Sequence, residues 1–254
     1  MKVKFVVVQF PTVKTLIVAL VCSVLSLPCT GQTKSALEWG EKYNSAGATL
    51  IVKETGRVRT NGQTVVTYNL FVSGLPKDPK YIVWTKLPGT NPQTVADAFL
   101  NKDGLVVSAL ADSAHNIAED PVDLKVVSGR GEVKQFAVVS DDAKYRVFGE
   151  VVPFPIETAN GPCSLSLTMM GPNYSAVSIV VTGLQPKEKI QIHQQSGNEG
   201  GDSKATAAAD GTYRATVLPF VKGQSSGKFT FAVTAGACGV GIAIPWGQGS
   251  YVIQ

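Results

Sequence analysis

The chain is predicted to be all-β, with two antiparallel β-sandwiches in tandem behind an export leader. The phrase "NLFVSGLPKDPKYIVW" at residues 69–84 returns as "SIVVTGLQPKEKIQIH" at 178–193, aligned without a gap at a constant offset of 109. Both copies alternate apolar with other residues, the period of two that a half-buried strand requires. The repeated unit is about 110 residues long and holds roughly seven short strands, far longer than a solenoid repeat and the size of one sandwich.

Tyr68, Leu70 and Val72 carry the alternation in the first copy, and Val177, Ile179 and Val181 in the second. Gly74-Leu75-Pro76 and Gly183-Leu184-Gln185-Pro186 then break the strand, because proline has no donor for a ladder and glycine adopts turn dihedrals. A second alternating strand opens at Tyr81 and Val83, or at Ile190 and Ile192. Downstream, "AFLNKDGLVVSAL" (98–110) parallels "TAAADGTYRATVL" (206–218), each with Asp-Gly between apolar alternations, which predicts a hairpin turn in both. "VDLKVVSGRGEVKQFAVVS" and "FTFAVTAGACGVGIAIPWG" match in strand spacing and turn glycines. In this layout both copies resemble the immunoglobulin-like or fibronectin type III-like modules found in tandem on bacterial surface and secreted proteins. The resemblance covers most of the chain after residue 47 and implies a seven-strand sandwich in each copy.

Residues 1–31 read as a signal peptide. Lys2, Lys4 and Lys14 are its basic region, "TLIVALVCSVLSL" (15–27) is an apolar stretch too short for the roughly 20 residues a bilayer span takes, and Pro28 breaks it. Cleavage is expected after Gly31, leaving Gln32 first. Acylation of Cys29 fits less well, since Pro28 stands where lipoprotein signals carry a small residue. The formal charge of +4 falls to about +1 once the leader's three lysines are gone, so the mature chain has no basic footprint for nucleic acid and no polybasic membrane patch. No second apolar run is long enough for a transmembrane helix.

Residues 32–47 form a lead-in without strand alternation. The first sandwich is expected over 48–152, a proline-rich linker over 153–162 and the second sandwich over 163–254. The insertion 111–121 has a short helical pattern and no counterpart in the second copy. Of four cysteines, Cys22 and Cys29 fall in the leader, so Cys163 and Cys238 remain as one disulfide of an exported protein. Two cysteines without clustered histidines cannot complete a tetrahedral metal site, and no cofactor is expected.

Motifs for catalysis are sparse. "GQSSG" (223–227) has the spelling of a serine-hydrolase elbow, but Ser225 precedes the strand "KFTFAVT" where that motif needs a strand before and a helix after. "GQSSGK" is one residue short of a phosphate-binding loop, and Phe229 stands where Ser or Thr should hold the metal. His115 and His193 have no second ligand or nucleophile at a telling spacing. Glu119, Asp120 and Asp123, and Asp141 with Asp142, follow no calcium-loop pattern and read as solvated turns.

"YIVW" is apolar at all four positions where its counterpart "IQIH" alternates. With Tyr81 and Val83 inward, Ile82 and Trp84 point out of the first core and need cover, either from the lead-in with Trp39 and Tyr43 or from a partner. Trp246, in "IPWGQG", raises the same question. The sequence therefore predicts a non-catalytic binding or structural module of a cell envelope or medium, with an envelope protein or polysaccharide as partner and no nucleic acid. Its alternatives are a carbohydrate-binding module using exposed Trp84 or Trp246, and a secreted hydrolase whose site is assembled from scattered residues.

Overall fold

The computed structural model describes residues 38–87, 89–109 and 120–254. The leader, the cleavage point at Gly31, Cys29, His115, Glu119 and nearly all of the 111–121 insertion lie outside the described residues. Among the described residues sixteen strands follow the lead-in. The first eight are β1 (Thr49–Thr60), β2 (Gln63–Ser73), β3 (Tyr81–Lys86), β4 (Gln93–Leu100), β5 (Val106–Ser108), β6 (Leu124–Val126), β7 (Lys134–Ser140) and β8 (Arg146–Val151). The second eight are β9 (Ile156–Asn160), β10 (Cys163–Met169), β11 (Val177–Thr182), β12 (Lys189–Ser196), β13 (Glu199–Thr206), β14 (Tyr213–Val217), β15 (Ser226–Ala235) and β16 (Cys238–Gly247).

They build four antiparallel sheets, ordered β1-β2-β6 and β5-β4-β3-β7-β8 around one core, and β14-β11-β10-β9 and β13-β12-β15-β16 around another. In each half the strand before the repeated Gly-Leu turn, β2 or β11, is central in one sheet, and the strand after it, β3 or β12, pairs with the penultimate strand in the other. That crossed order is the Greek-key plan of an immunoglobulin-like sandwich. Within 153–162, expected as linker, residues 156–160 are the strand β9, paired with β10 at the edge of the second sandwich.

The repeated phrase is architectural. Tyr68, Leu70, Val72, Tyr81 and Val83 are 0–5% exposed, as are Val177, Ile179, Val181, Ile190 and Ile192 in the other core. Gly74 and Gly183 both sit at positive φ, 78° and 79°. A Cβ on Gly74 would fall on the carbonyl oxygen of Gly47, and one on Gly183 on that of Pro162, far inside contact distance. Each copy thus needs glycine where the chain turns against the start of the neighbouring strand, β1 or β10, and Leu75 and Leu184 plug the end of the core just after it.

The Asp-Gly expectation holds in one copy only. Asp103-Gly104 joins β4 to β5 as a hairpin. Asp210-Gly211 leads instead from β13 in one sheet to β14 in the other, where β14 pairs with β11. Both turns begin alike, with the amide of Gly104 donating to Asn101 O at 3.0 Å and that of Gly211 to Ala208 O at 3.1 Å. The two copies part beyond the glycine. In the first, the extra residues before β6 deliver a separate strand to the edge of β2, freeing the post-turn segment to pair with β4; the second copy has no such extra strand, and β14 fills the edge of β11.

Candidate functional site at the junction of the two sandwiches

The stretch "SGRGEVK" before β7 places two charges, Glu132 and Lys134, on either side of Val133, and both are buried. Lys134 Nζ lies 3.0 Å from Glu132 Oε1. The other carboxylate oxygen, Oε2, accepts from Ser128 Oγ at 2.9 Å, the amide of Gly129 at 3.0 Å and the hydroxyl of Tyr251 at 2.6 Å. Tyr251 belongs to the tail after β16, so this last bond crosses from one sandwich to the other. Its hydroxyl also accepts from the Gly129 amide at 3.1 Å.

The tail continues across the first sandwich. The amide of Gln254 donates to Ser128 O at 3.1 Å, and the amide of Thr64 in β2 donates to Gln254 O. From the other side, Tyr174 Oη donates to Arg130 O at 2.8 Å and the Met169 amide to Gly131 O at 2.7 Å. Arg57 of β1 donates to Pro153 O at 3.1 Å, and its guanidinium lies 4.8 Å from the centre of the Phe154 ring. The connection is therefore braced on several sides by backbone and side-chain bonds.

Burial alone would raise the Glu132 pKa. The hydrogen bonds from Tyr251, Gly129 and Lys134, with the charge of Lys134, outweigh it and hold the carboxyl below its usual range. Burial, then the bond to and charge of Glu132, push the Tyr251 phenol up to about 12. Three donors converge on Glu132 Oε2 and Lys134 holds Oε1, so the carboxylate acts mainly as an anchor. A cavity of about 280 Å³ opens beside it, lined by Leu87, Thr90, Met169, Pro172 and Tyr251 among others.

Trp84 lies outside the first core. It packs with Trp39 and Tyr43 of the lead-in over Ala137, Val139 and Phe148 on the outer face of the five-stranded sheet. The Trp39 ring meets Phe148 edge-on at 5.2 Å, and the lead-in is pinned where the amides of Arg146 and Phe148 donate to Ser45 Oγ and Asn44 Oδ1 at 3.0 and 2.8 Å. Ile82, on the same face, is half-buried. Trp246, by contrast, is 2% exposed and part of the second core, so it presents no ring face at the surface. Ile244 and Trp246 face inward from β16, with Pro245 exposed between them.

Cys163 at the start of β10 and Cys238 at the start of β16 form a disulfide that ties the two sheets of the second sandwich. Ser225 lies in the turn before β15 and accepts the Gln248 amide through its carbonyl. His193 Nδ1 is 2.8 Å from Asp202 Oδ1 on an exposed face, and Asp142 accepts from Ser140 Oγ at 2.7 Å within a turn. Among the described residues no three His, Cys, Asp or Glu side chains converge on a metal position. Sequence reasoning did not find Glu132 and Tyr251; the only local signal is a charged pair flanking a valine beside a strand.

No family model matches the chain, and no curated protein does. Among solved structures, the chicken interferon gamma receptor alpha chain is matched over 76% of this chain and 97% of its own at 13% identity, with a TM-score of 0.25. A tetra-tandem repeat from the extending region of a large adhesion protein is matched over 78% of this chain and 47% of its own, also at 13%, with a TM-score of 0.23. At such scores the likeness carries no argument, and the class assigned to this chain, a pair of immunoglobulin-like sandwiches, rests on its own strand order.

Proposed function

We propose that the chain is an exported, non-catalytic binding or structural module of a cell envelope or the surrounding medium, in which two sandwiches present their surfaces in a set mutual orientation. The junction carries this reading. A module whose last residues reach back to seal a buried ion pair in its neighbour is organised to hold position, and the buried carboxylate there is committed to that task. The division proposed is 1–31 as leader, 32–47 as lead-in, a first sandwich over 48–152 and a second over 163–254 that also takes β9 from the 153–162 connection. Export is supported by the Cys163–Cys238 disulfide, a bond that persists in oxidising compartments. The non-catalytic reading is supported by the bonding of Asp142 within its turn and of Glu132 at the junction.

The test is expression with the native leader in a bacterial host, followed by fractionation. The exported protein should begin at or near Gln32 and keep its cysteines unreactive to alkylation until reduced. A glycan, peptidoglycan and envelope-protein binding screen on that material should give hits without turnover. Intact Met1 in the cytosol with two alkylatable thiols, or substrate hydrolysis in an activity panel, would overturn the proposal.

A further inference from the structure

The two copies treat one sheet edge differently. In the first sandwich the outer side of β4 is occupied by β5, with Ala98, Phe99 and Leu100 opposite Ser108, Val107 and Val106. β13 holds the same place in the second sandwich, at the end of its sheet beside β12, and among the described residues no strand lies on its outer side. It is eight residues long and exposed at every position but Ala205. Such an edge offers a row of unpaired N–H and C=O groups to any extended strand. Proteins usually blunt long edges with proline, bulges or lysines. β13 has no proline, its pairing with β12 runs from Thr206 to Glu199 without a bulge, and its one lysine, Lys204, has Asp202 two residues away to offset it. Its central charges are of opposite sign: Asp202 and Lys204 lie two residues apart on one face, across from His193 and Gln191.

We infer that β13 is a self-association edge, pairing antiparallel with β13 of a second copy in a register centred on Ser203. In an antiparallel ladder directly opposed residues belong to the same hydrogen-bonding class, and that class alternates along the strand. A strand pairing with itself about a two-fold axis must therefore set one residue opposite itself; a register centred between two residues is excluded. Centring on Asp202 or on Lys204 sets like charges face to face, which destabilises a pair. Centring on Ser203 sets Asp202 of each copy opposite Lys204 of the other, with Gly201 opposite Ala205 and Gly200 opposite Thr206. Both charge pairs are matched, and the other opposed residues are too small to obstruct the approach. The contact is isologous and closes at two subunits, joining two four-stranded sheets into one.

Light scattering or sedimentation on the full mature chain tests this with charge reversals at exposed positions that leave the core untouched. Wild type should show a concentration-dependent dimer. Asp202→Lys and Lys204→Asp should each weaken it roughly tenfold or more, since both cross-strand pairs turn repulsive. The double variant D202K/K204D should restore the dimer. An equimolar mixture of the two single variants should form the heterodimer, because every opposed pair then carries opposite charges. A wild type that is monomeric at all concentrations, a dimer indifferent to both single changes, or a double variant that fails to recover would each overturn the inference.

Discussion

The hydroxyl of Tyr251 donates to Glu132 Oε2 at 2.6 Å, joining the tail of the second sandwich to a buried carboxylate of the first. These residues are 119 positions apart, and the bond is one of four that the carboxylate accepts. Tyr251→Phe keeps the ring and removes only the hydroxyl, so it isolates this link. Loss of a hydrogen bond to a buried charge, with the Gly129 amide losing an acceptor as well, should cost about 2 kcal/mol. Denaturant unfolding would measure that cost, and hydrogen exchange should show the amides of Gly129 and Gln254 losing protection before those in either core.

Acid should loosen the same link. The folded pKa of Glu132 is depressed below the unfolded value of about 4.3. Its contribution is therefore fully present above that unfolded value and is lost as the pH falls through the folded one. Glu132→Gln removes the charge while leaving Lys134 buried, which should cost about 3 kcal/mol at neutral pH. The stability gap between wild type and Glu132→Gln should narrow as the pH drops below about 4. At the alkaline end the sign reverses: Tyr251, raised to about 12, contributes stability that is intact below about 10 and lost as the pH climbs through its folded value. A gap that stays constant from neutral pH into acid would show that Glu132 is not the group involved.

Strand register was legible because the second copy alternates where the first is ambiguous. Ile190 and Ile192 define the inward face, and the constant offset carries that assignment to Tyr81 and Val83, which leaves Trp84 outward. The repeat could not reveal where the strand after each Asp-Gly turn would go, since that depends on whether another strand reaches the edge of β2 or β11. Trp246 misleads for a related reason: an apolar run beside proline reads as surface or core alike until the face of β16 is known. Glu132 and Tyr251 escaped because a buried ion pair is made by tertiary partners far apart in the chain, and no local pattern separates Glu-Val-Lys from an ordinary solvated strand.

Glycine at the repeated turn should be indispensable in both halves. Gly74→Ala and Gly183→Ala combine a left-handed backbone, about 1–2 kcal/mol for an L-residue, with a clash against the carbonyl of Gly47 or Pro162. Each should lower stability by more than about 2 kcal/mol. Gly223→Ala is the control, because Gly223 has φ 84° and nothing within 4 Å of a built Cβ. It should show the backbone cost alone. Equal thermal shifts in all three variants would mean that the close approach, the feature the two copies share, contributes nothing.

Trp84 and Trp39 decide whether the outer face of the first sandwich serves stability or recognition. The Trp84 ring packs with Trp39 and Tyr43 against Ala137, Val139 and Phe148, so its removal leaves a space beneath the lead-in. Trp84→Ala should lower stability by about 3 kcal/mol, in the range for deleting a packed aromatic ring. Trp39→Ala should cost less, because Trp39 lies on the lead-in outside the sheet, where it stacks edge-on against Phe148 and Lys86 reaches within 5.6 Å of its ring. If the two form one packed unit, the double variant should fall short of the sum of the singles by about 1 kcal/mol, the coupling expected of residues that share partners. The binding screen supplies the opposing outcome. A Trp84→Ala protein that melts like wild type yet loses a ligand found with the intact chain would make this face a recognition surface and the lead-in a removable cover.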